Sequence, residues 1–391
     1  MKIGLVGKPS AGKSTFFKAA TLIDVKIASY PFTTISPNAG IAYVKIKDLA
    51  AEFGKVSNPR EGYVKKGWRF VPFELVDVAG LVEGASEGKG LGNEFLNDLS
   101  AADAFIHVVD VSGETDAEGK PTANYYPGND IKVIERELDL WYLGIFKKVW
   151  HKFSREIEME HAQFAKAVAK QFSGLKVTEE DIEKVIRKLK LEVEKPSLWS
   201  EDELFNFARE LRKETKKMII AANKIDRPNS KENYERIKKE FDYPIVCCFA
   251  EGELALREAD KHGLIDYIPG ESDFELVKEL SEKQEEALNN IKKIIKEYSS
   301  TGIQEVLNKV VFDILSYKAI YPAGAKLADS KGNILPDCFL MPPNSTALDF
   351  AFRLHTDIGK NFVKAIDIRT KKAVGKDYVL KQGDGLEILT K

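Results

Sequence analysis

The stretch "GLVGKPSAGKSTFF", residues 4–17, constrains this chain more than any other. Gly7 to Ser14 spell G-x-x-x-x-G-K-S between an apolar strand-like run and an apolar helix-like run. Such a turn aims its backbone amides at an anion. Gly7 and Gly12 let the loop curl so that its N–H groups, with the helix amino terminus, face phosphate oxygens. Lys13 is placed to reach the β- and γ-phosphates, and the Ser14 hydroxyl to ligate Mg²⁺. The phosphate-binding set is therefore Gly7, Ser10, Ala11, Gly12, Lys13, Ser14 and Thr15.

A phosphate loop of this kind needs a sheet behind it. Strand-like runs recur at "KIGLVG", "AYVKI", "RFVPFELVDV", "AFIHVVDV", "KMIIAANKI" and "YPIVCCFA". Several are almost continuously apolar, as strands covered by helices on both faces should be. Alternation with helical stretches predicts an α/β fold with a doubly wound, mostly parallel sheet. About a hundred residues separate the fourth and fifth runs, so an insertion is expected there. Ile134, Leu138, Trp141, Ile145, Val149, Phe153 and Ile157, continued by Phe164, Val168 and Phe172, predict one amphipathic helix of about 40 residues. Shorter helices are expected from Thr178 and from Ser200, making a helical hairpin or coiled-coil arm that either packs or docks a partner. Residues 273–316 are expected to be helical again. The pattern then changes to short strands and turns around one helix, a small α+β module in which 11 Lys and Arg face 8 Asp and Glu. The resulting division is 1–129 with 217–322 for the nucleotide-binding domain, 130–216 for the arm and 323–391 for the terminal module.

Two further motifs say which nucleotide. Asp77, in "DVAG" at the end of a strand, is placed to hold Mg²⁺ through water, and the Gly80 amide to sense a γ-phosphate. In "NKID", the Asp226 carboxylate can accept both N1–H and the exocyclic amine of guanine; adenine offers no such pair of donors. Asn223 is placed to pin neighbouring loops and the Lys224 stem to cover the base. In this order the motifs specify a guanine-nucleotide switch that binds GTP and GDP.

"YPFTTISPNAG" (residues 30–40) and "DVAGLVEGASEGKGLGNEFLNDL" (residues 77–99) resemble the two switches of the Obg family of translation GTPases. The insertion, the passage "AEGELALREADKHGLIDYIPG" and a terminal module similar to a TGS domain, a ubiquitin-like β-grasp fold, point to its YchF branch. The resemblance implies that Thr34, rather than Thr33, meets Mg²⁺ and the γ-phosphate. The catalytic set is then Lys13, Thr34 and Gly80, and the metal set Ser14, Thr34 and Asp77. It also implies that the Ala250 amide, in "FAE", faces the base oxygen. Many YchF relatives accept ATP through a changed base motif, whereas this chain keeps "NKID". Ser10 stands where potassium-stimulated relatives have asparagine, so K⁺ dependence is not carried over.

Leu81 occupies the place of a water-orienting glutamine, so slow intrinsic hydrolysis completed by a partner is expected. The family association suggests a ribosome or its rRNA or tRNA as that partner, touched by the arm and by the TGS-like module; Lys360, Lys364, Arg369, Lys371 and Lys372 are candidate phosphate contacts. Two rival readings remain, a YchF-type ATPase and an adaptor that holds GTP without hydrolysing it. A net charge of −2 gives no global attraction to nucleic acid or membrane. Cys247, Cys248 and Cys338 cannot make a disulfide framework, and no apolar run approaches 18 residues. A cytoplasmic monomer is expected. His107, in an apolar run, is expected to be a hydrogen-bonded core histidine, and His355 is left open.

Overall fold

The computed structural model describes residues 1–21, 38–78 and 99–391. Thr33, Thr34, Gly80 and Leu81 lie outside these residues. The chain forms two compact units, Met1–Phe17 with Leu75–Ala250 and Lys18–Glu74 with Glu251–Lys391. Its strands are β1 (Lys2–Val6), β2 (Ala39–Lys47), β3 (Tyr63–Lys65), β4 (Trp68–Asp77), β5 (Ala104–Asp110), β6 (Lys217–Asn223), β7 (Ile245–Cys248), β8 (Ile265–Tyr267) and β9 (Phe274–Leu276), followed by β10 (Lys318–Pro322), β11 (Phe339–Met341), β12 (Phe362–Asp367), β13 (Ala373–Val374) and β14 (Gly385–Thr390).

In the first unit β1, β5, β6 and β7 run parallel in that order. All seven residues of β5 are buried, as are six of the seven in β6. That explains their nearly unbroken apolar sequences. Helix α1 (Lys13–Thr21) follows β1 directly after the glycine-rich loop. The inserted segment contains α2 (Gly128–Met159), α3 (Phe164–Gln171), α4 (Glu179–Leu189) and α5 (Glu201–Thr215). Capping boxes at Thr178 and Ser200 start the last two, as the sequence indicates.

The expected single 40-residue helix is two helices. α2 stops at Met159, and His161, at φ 48°, lies in the turn that follows. The reversal lets the later part of the apolar stripe fold back: Phe172 stacks on Phe146 with ring centroids 4.0 Å apart, and Phe164 packs against Trp199 at 5.4 Å. Trp150 and Phe207 complete this aromatic core. A straight continuation would have left those rings in water. Buried Arg212 reaches from α5 to Asp139 of α2 at 2.6 and 2.8 Å, so its charge is paired where water cannot reach it.

In the second unit β2 lies beside β4, and β3 forms an antiparallel hairpin with β4, Tyr63 stacking on Phe70. Helix α6 (Ser230–Glu240) belongs to the first unit; α7 (Ala250–Lys261), α8 (Glu282–Tyr298) and α9 (Ile303–Asn308), the last continuing as a wider π-turn through Ile314, follow in the second. The helix expected from residue 273 begins only at 282, because Phe274–Leu276 pair with β8 instead. Two α9 side chains bond the β2 backbone. Gln304 donates to the Tyr43 carbonyl at 2.8 Å, and Asn308 both accepts from the Lys45 amide at 2.8 Å and donates to its carbonyl at 3.0 Å.

The terminal module has strand order β11-β10-β14-β12-β13, with α10 (Ala347–Leu354) packing Phe350 on Ile320, Met341, Ala365 and Leu386. This is a β-grasp-like sheet. Arg60 pairs with Asp329 and Asp337, each at 2.7 Å. Buried Arg69 donates to the carbonyls of Leu335 and Pro336.

His107 departs from expectation in one respect. It is fully buried in β5, but neither ring nitrogen has a hydrogen-bond partner among the described residues. Burial first, and the Lys8 ammonium second, push its pKa down to about 3. Folded His107 thus refuses a proton that the unfolded chain takes up near pH 6.5, so its contribution to stability is complete above that pH and is lost as pH falls toward 3. Urea unfolding of His107→Leu between pH 7 and 4.5 will show a flatter acid limb, the difference growing by up to about 1.4 kcal/mol per pH unit; parallel limbs would contradict this. Asn308→Leu, which strands the Lys45 amide and carbonyl, will cost about 1–3 kcal/mol in the same assay.

Candidate nucleotide-binding site

Parallel strands of an open α/β sheet present their carboxyl ends to one crevice. Here Asp110, Asn223 and Cys248 are in register at the ends of β5, β6 and β7, and the loop after Val6 closes β1. Two glycines bring that loop close. Gly7 has φ +154° and a Cβ there would lie 2.5 Å from the Val108 carbonyl oxygen; Gly12 has φ +91° and a Cβ there would lie 2.3 Å from Asn223 Nδ2. No other residue fits either place without moving backbone or the Asn223 amide. The Phe16 amide bonds the Gly12 carbonyl at 2.8 Å, starting α1 at once and leaving the earlier amides of its first turn outside the helical ladder. The cavity over this turn has a volume of about 510 Å³ and is lined by Gly7, Ser10, Gly12, Lys13, Ser14, Thr15 and Lys224, among others. Ala11, also expected in the set, is buried beneath it.

Lys13 and Asp77 come together. Lys13 Nζ lies 2.5 Å from Asp77 Oδ1 in a partly buried ion pair. A phosphate chain with its metal could take over both halves of that pair, phosphate oxygens replacing the carboxylate for Lys13 and the cation replacing the ammonium for Asp77. The donor set suits Mg²⁺, which keeps several waters and takes few protein ligands. The exposed Ser14 hydroxyl and the Asp77 carboxylate are groups of that kind. Among the described residues no group of three or more His, Cys, Asp or Glu could cage a metal.

The base-side loop is organised by Asn223. Its Nδ2 donates to the Ala11 carbonyl at 3.0 Å, and its Oδ1 accepts from the Ala250 amide at 3.1 Å. Pinning of neighbouring loops is thus seen directly. The Ala250 amide, expected to face the base oxygen, is the donor of that second bond. Asp226, whose side chain is 16% exposed, has Arg227 Nε 3.3 Å away. Lys224 sits at φ +66°, and its ammonium contacts Asp110 at 2.6 Å.

Asp110 is the residue that sequence reasoning missed. Burial would raise its pKa, but Lys224 and the hydroxyls of Ser112 and Thr115 outweigh that and hold it below the usual carboxylate range. Its signal in the sequence is a carboxylate closing a strand that is otherwise almost wholly apolar. Lys8 was passed over as well. It is buried, 2.9 Å from Asp130 and 2.8 Å from the Thr115 carbonyl, with Tyr125 beneath it.

In the terminal module Lys360, Lys364, Lys371 and Lys372 are exposed. Arg369 is already engaged: it forks onto Glu52 at 2.7 and 2.9 Å and donates to the Gly383 carbonyl. It is therefore a strut within its unit rather than a free phosphate contact. His355 accepts the Asp357 amide at 3.1 Å and caps α11 (Thr356–Lys360), which settles it as structural.

The model of the 50S ribosome-binding GTPases matches residues 2–137, that of the Obg-like GTPase YGR210-like, G4 motif-containing domain residues 221–324, and that of the TGS domain residues 322–390. The chain is 47% identical to an uncharacterized GTP-binding protein of Methanocaldococcus jannaschii over 99% of this chain and 98% of that one. It is 26% identical to the ribosome-binding ATPase YchF of Escherichia coli O157:H7 over 99% and 98%. A crystal structure of a GTP binding protein from Pyrococcus horikoshii OT3 aligns over the whole of both chains with TM-score 0.80 and 39% identity. The YchF GTPase of Schizosaccharomyces pombe shares the fold at TM-score 0.59 and 21% identity, over 100% of this chain and 97% of that one. With its phosphate loop and intact "NKID" in one site and a β-grasp-like terminal module, the chain belongs to the YchF-type branch of the Obg-family GTPases.

Proposed function

We propose that this protein is a Mg²⁺-dependent guanine-nucleotide switch that hydrolyses GTP slowly and acts on the ribosome. The observation that carries this reading is the pair of hydrogen bonds made by the Asn223 side chain. It holds the phosphate loop through Ala11 and the following loop through Ala250, while Lys224, the next residue of "NKID", lines the same cavity as Lys13 and Ser14. The Asp226 carboxylate is an acceptor with no donor to offer, which suits guanine N1–H and its amine and suits adenine poorly.

In this reading Lys13 neutralises the β- and γ-phosphates, and Ser14, Asp77 and Thr34 serve the metal. Loss of the γ-phosphate releases Thr34 and Gly80, and with them both switches. Leu81 has no group to orient water, so turnover waits for a partner. The helical segment 130–216 and the module 323–391 are the surfaces that present the nucleotide state, borne on a nucleotide-binding domain of residues 1–129 and 217–322. A ribosome or its RNA is the partner, by analogy with the relatives named for ribosome binding. No helix among the described residues is long and apolar enough to cross a membrane. We read the protein as a monomer working in the cytoplasm, where the relatives named for ribosome binding would meet their ribosomes.

ATP hydrolysis is the second reading, favoured by the relatives called ribosome-binding ATPases, which align with nearly the whole chain. Purified protein will turn over GTP slowly, and faster with purified ribosomes; faster turnover of ATP than of GTP would replace the first reading by the second. Asp226→Asn will weaken GTP binding at least 10-fold and improve xanthosine triphosphate binding, because an amide can donate to the xanthine oxygen that replaces the guanine amine. Fluorescent-nucleotide titration checks both, and unchanged GTP affinity would remove Asp226 from the base.

A further inference from the structure

We propose that Asp110 is a positioning residue for the nucleotide, holding Lys224 so that the lysine stem forms a ready-made wall for the base. It rests on the reading of the cavity as a nucleotide site, not on the choice between GTP and ATP. Asp110 is itself buried at the end of β5, while the Lys224 side chain is 25% exposed and lines the cavity. A lysine free in water spreads over many rotamers and gives up that entropy when a ligand orders it. Here that ordering precedes binding. At one end of Lys224 the carbonyl accepts the Ser230 hydroxyl at 2.7 Å and the Arg227 amide at 3.1 Å; at the other the ammonium is held by Asp110. Its four methylenes are stretched between two fixed points, presenting an apolar edge to a flat ring.

The carboxylate cannot follow the lysine away. Its Oδ1 accepts the Ser112 amide at 3.0 Å and hydroxyl at 2.5 Å, and its Oδ2 accepts the Thr115 hydroxyl at 2.8 Å besides Lys224. Thr115 then passes the restraint on, since its carbonyl takes Lys8 of the phosphate loop. One buried group therefore fixes the base side of the cavity and, through one residue, the phosphate side. Asp110 acts through Lys224 and touches neither phosphate nor base.

The test is a double-mutant cycle on nucleotide release from the full-length protein, using Asp110→Asn, Lys224→Met and the pair, with dissociation of fluorescent GDP followed by stopped flow. Asp110→Asn is expected to speed dissociation about 10-fold and raise KM for GTP by a similar factor with kcat unchanged, as loss of uniform binding requires. In the Lys224→Met background the same change is expected to add less than 2-fold. An additive effect, a fall in kcat with KM unchanged, or wild-type release from Asp110→Asn would overturn the assignment. If Asp110→Asn does not fold, Thr115→Val, which leaves the Lys224 pair in place while removing one brace, takes its part: faster release that vanishes in the Lys224→Met background supports the proposal, and unchanged release overturns it. Should the wild type bind fluorescent ADP and not GDP, the guanine reading fails while the cycle, run on ADP, still decides the role of Asp110.

Discussion

A side-chain amide has one face that donates and one that accepts, and Asn223 spends both on backbone. This constraint governs the site. The phosphate loop has its curl from Gly7 and Gly12, but curl alone does not say where the loop sits relative to the ends of the other strands. Asn223 supplies that coordinate, and Gly12 makes room for it, since a methyl group on Gly12 would occupy the place of the Asn223 nitrogen. A parallel register that aligns Asp110, Asn223 and Cys248 makes the arrangement possible, because each lies one strand spacing from the next.

The fold was largely legible because its signals are local. Buried strands read as apolar runs, and capping boxes at Thr178 and Ser200 mark helix starts by side chains a few residues apart. Motif spacing likewise revealed the phosphate loop and "NKID". What escaped was non-local. Whether the stripe from Ile134 to Phe172 stays straight or folds back depends on rings that meet only after the turn, Phe146 with Phe172 and Trp199 with Phe164. The segment after residue 273 has helical periodicity, yet "FEL" finds a strand partner in β8 that no local pattern announces.

The same distinction applies within the site. Lys13, Ser14 and Asp226 could be named because their roles follow from their own chemistry. Asp110 and Lys8 could not, because their importance lies in partners more than a hundred residues away, Lys224 for one and Thr115 and Asp130 for the other. The Ala250 amide is a related case: its bond to Asn223 joins residues 27 apart in the sequence. Arg369 looked like part of a basic face until Glu52 was found against it.

Asn308 shows a different use of the amide. Facing Lys45, it accepts from an N–H and donates to a C=O, the exchange that a neighbouring strand would make with β2. It is a one-residue imitation of a strand, carried on a helix. β2 is the outermost of the described strands in its sheet, and outermost strands recruit other chains through such unmet groups. By occupying the groups at Lys45, Asn308 removes one such pair of unmet groups from that edge. A strand arriving there would find both groups already taken, an obstacle to edge-to-edge pairing that is separate from anything the nucleotide does.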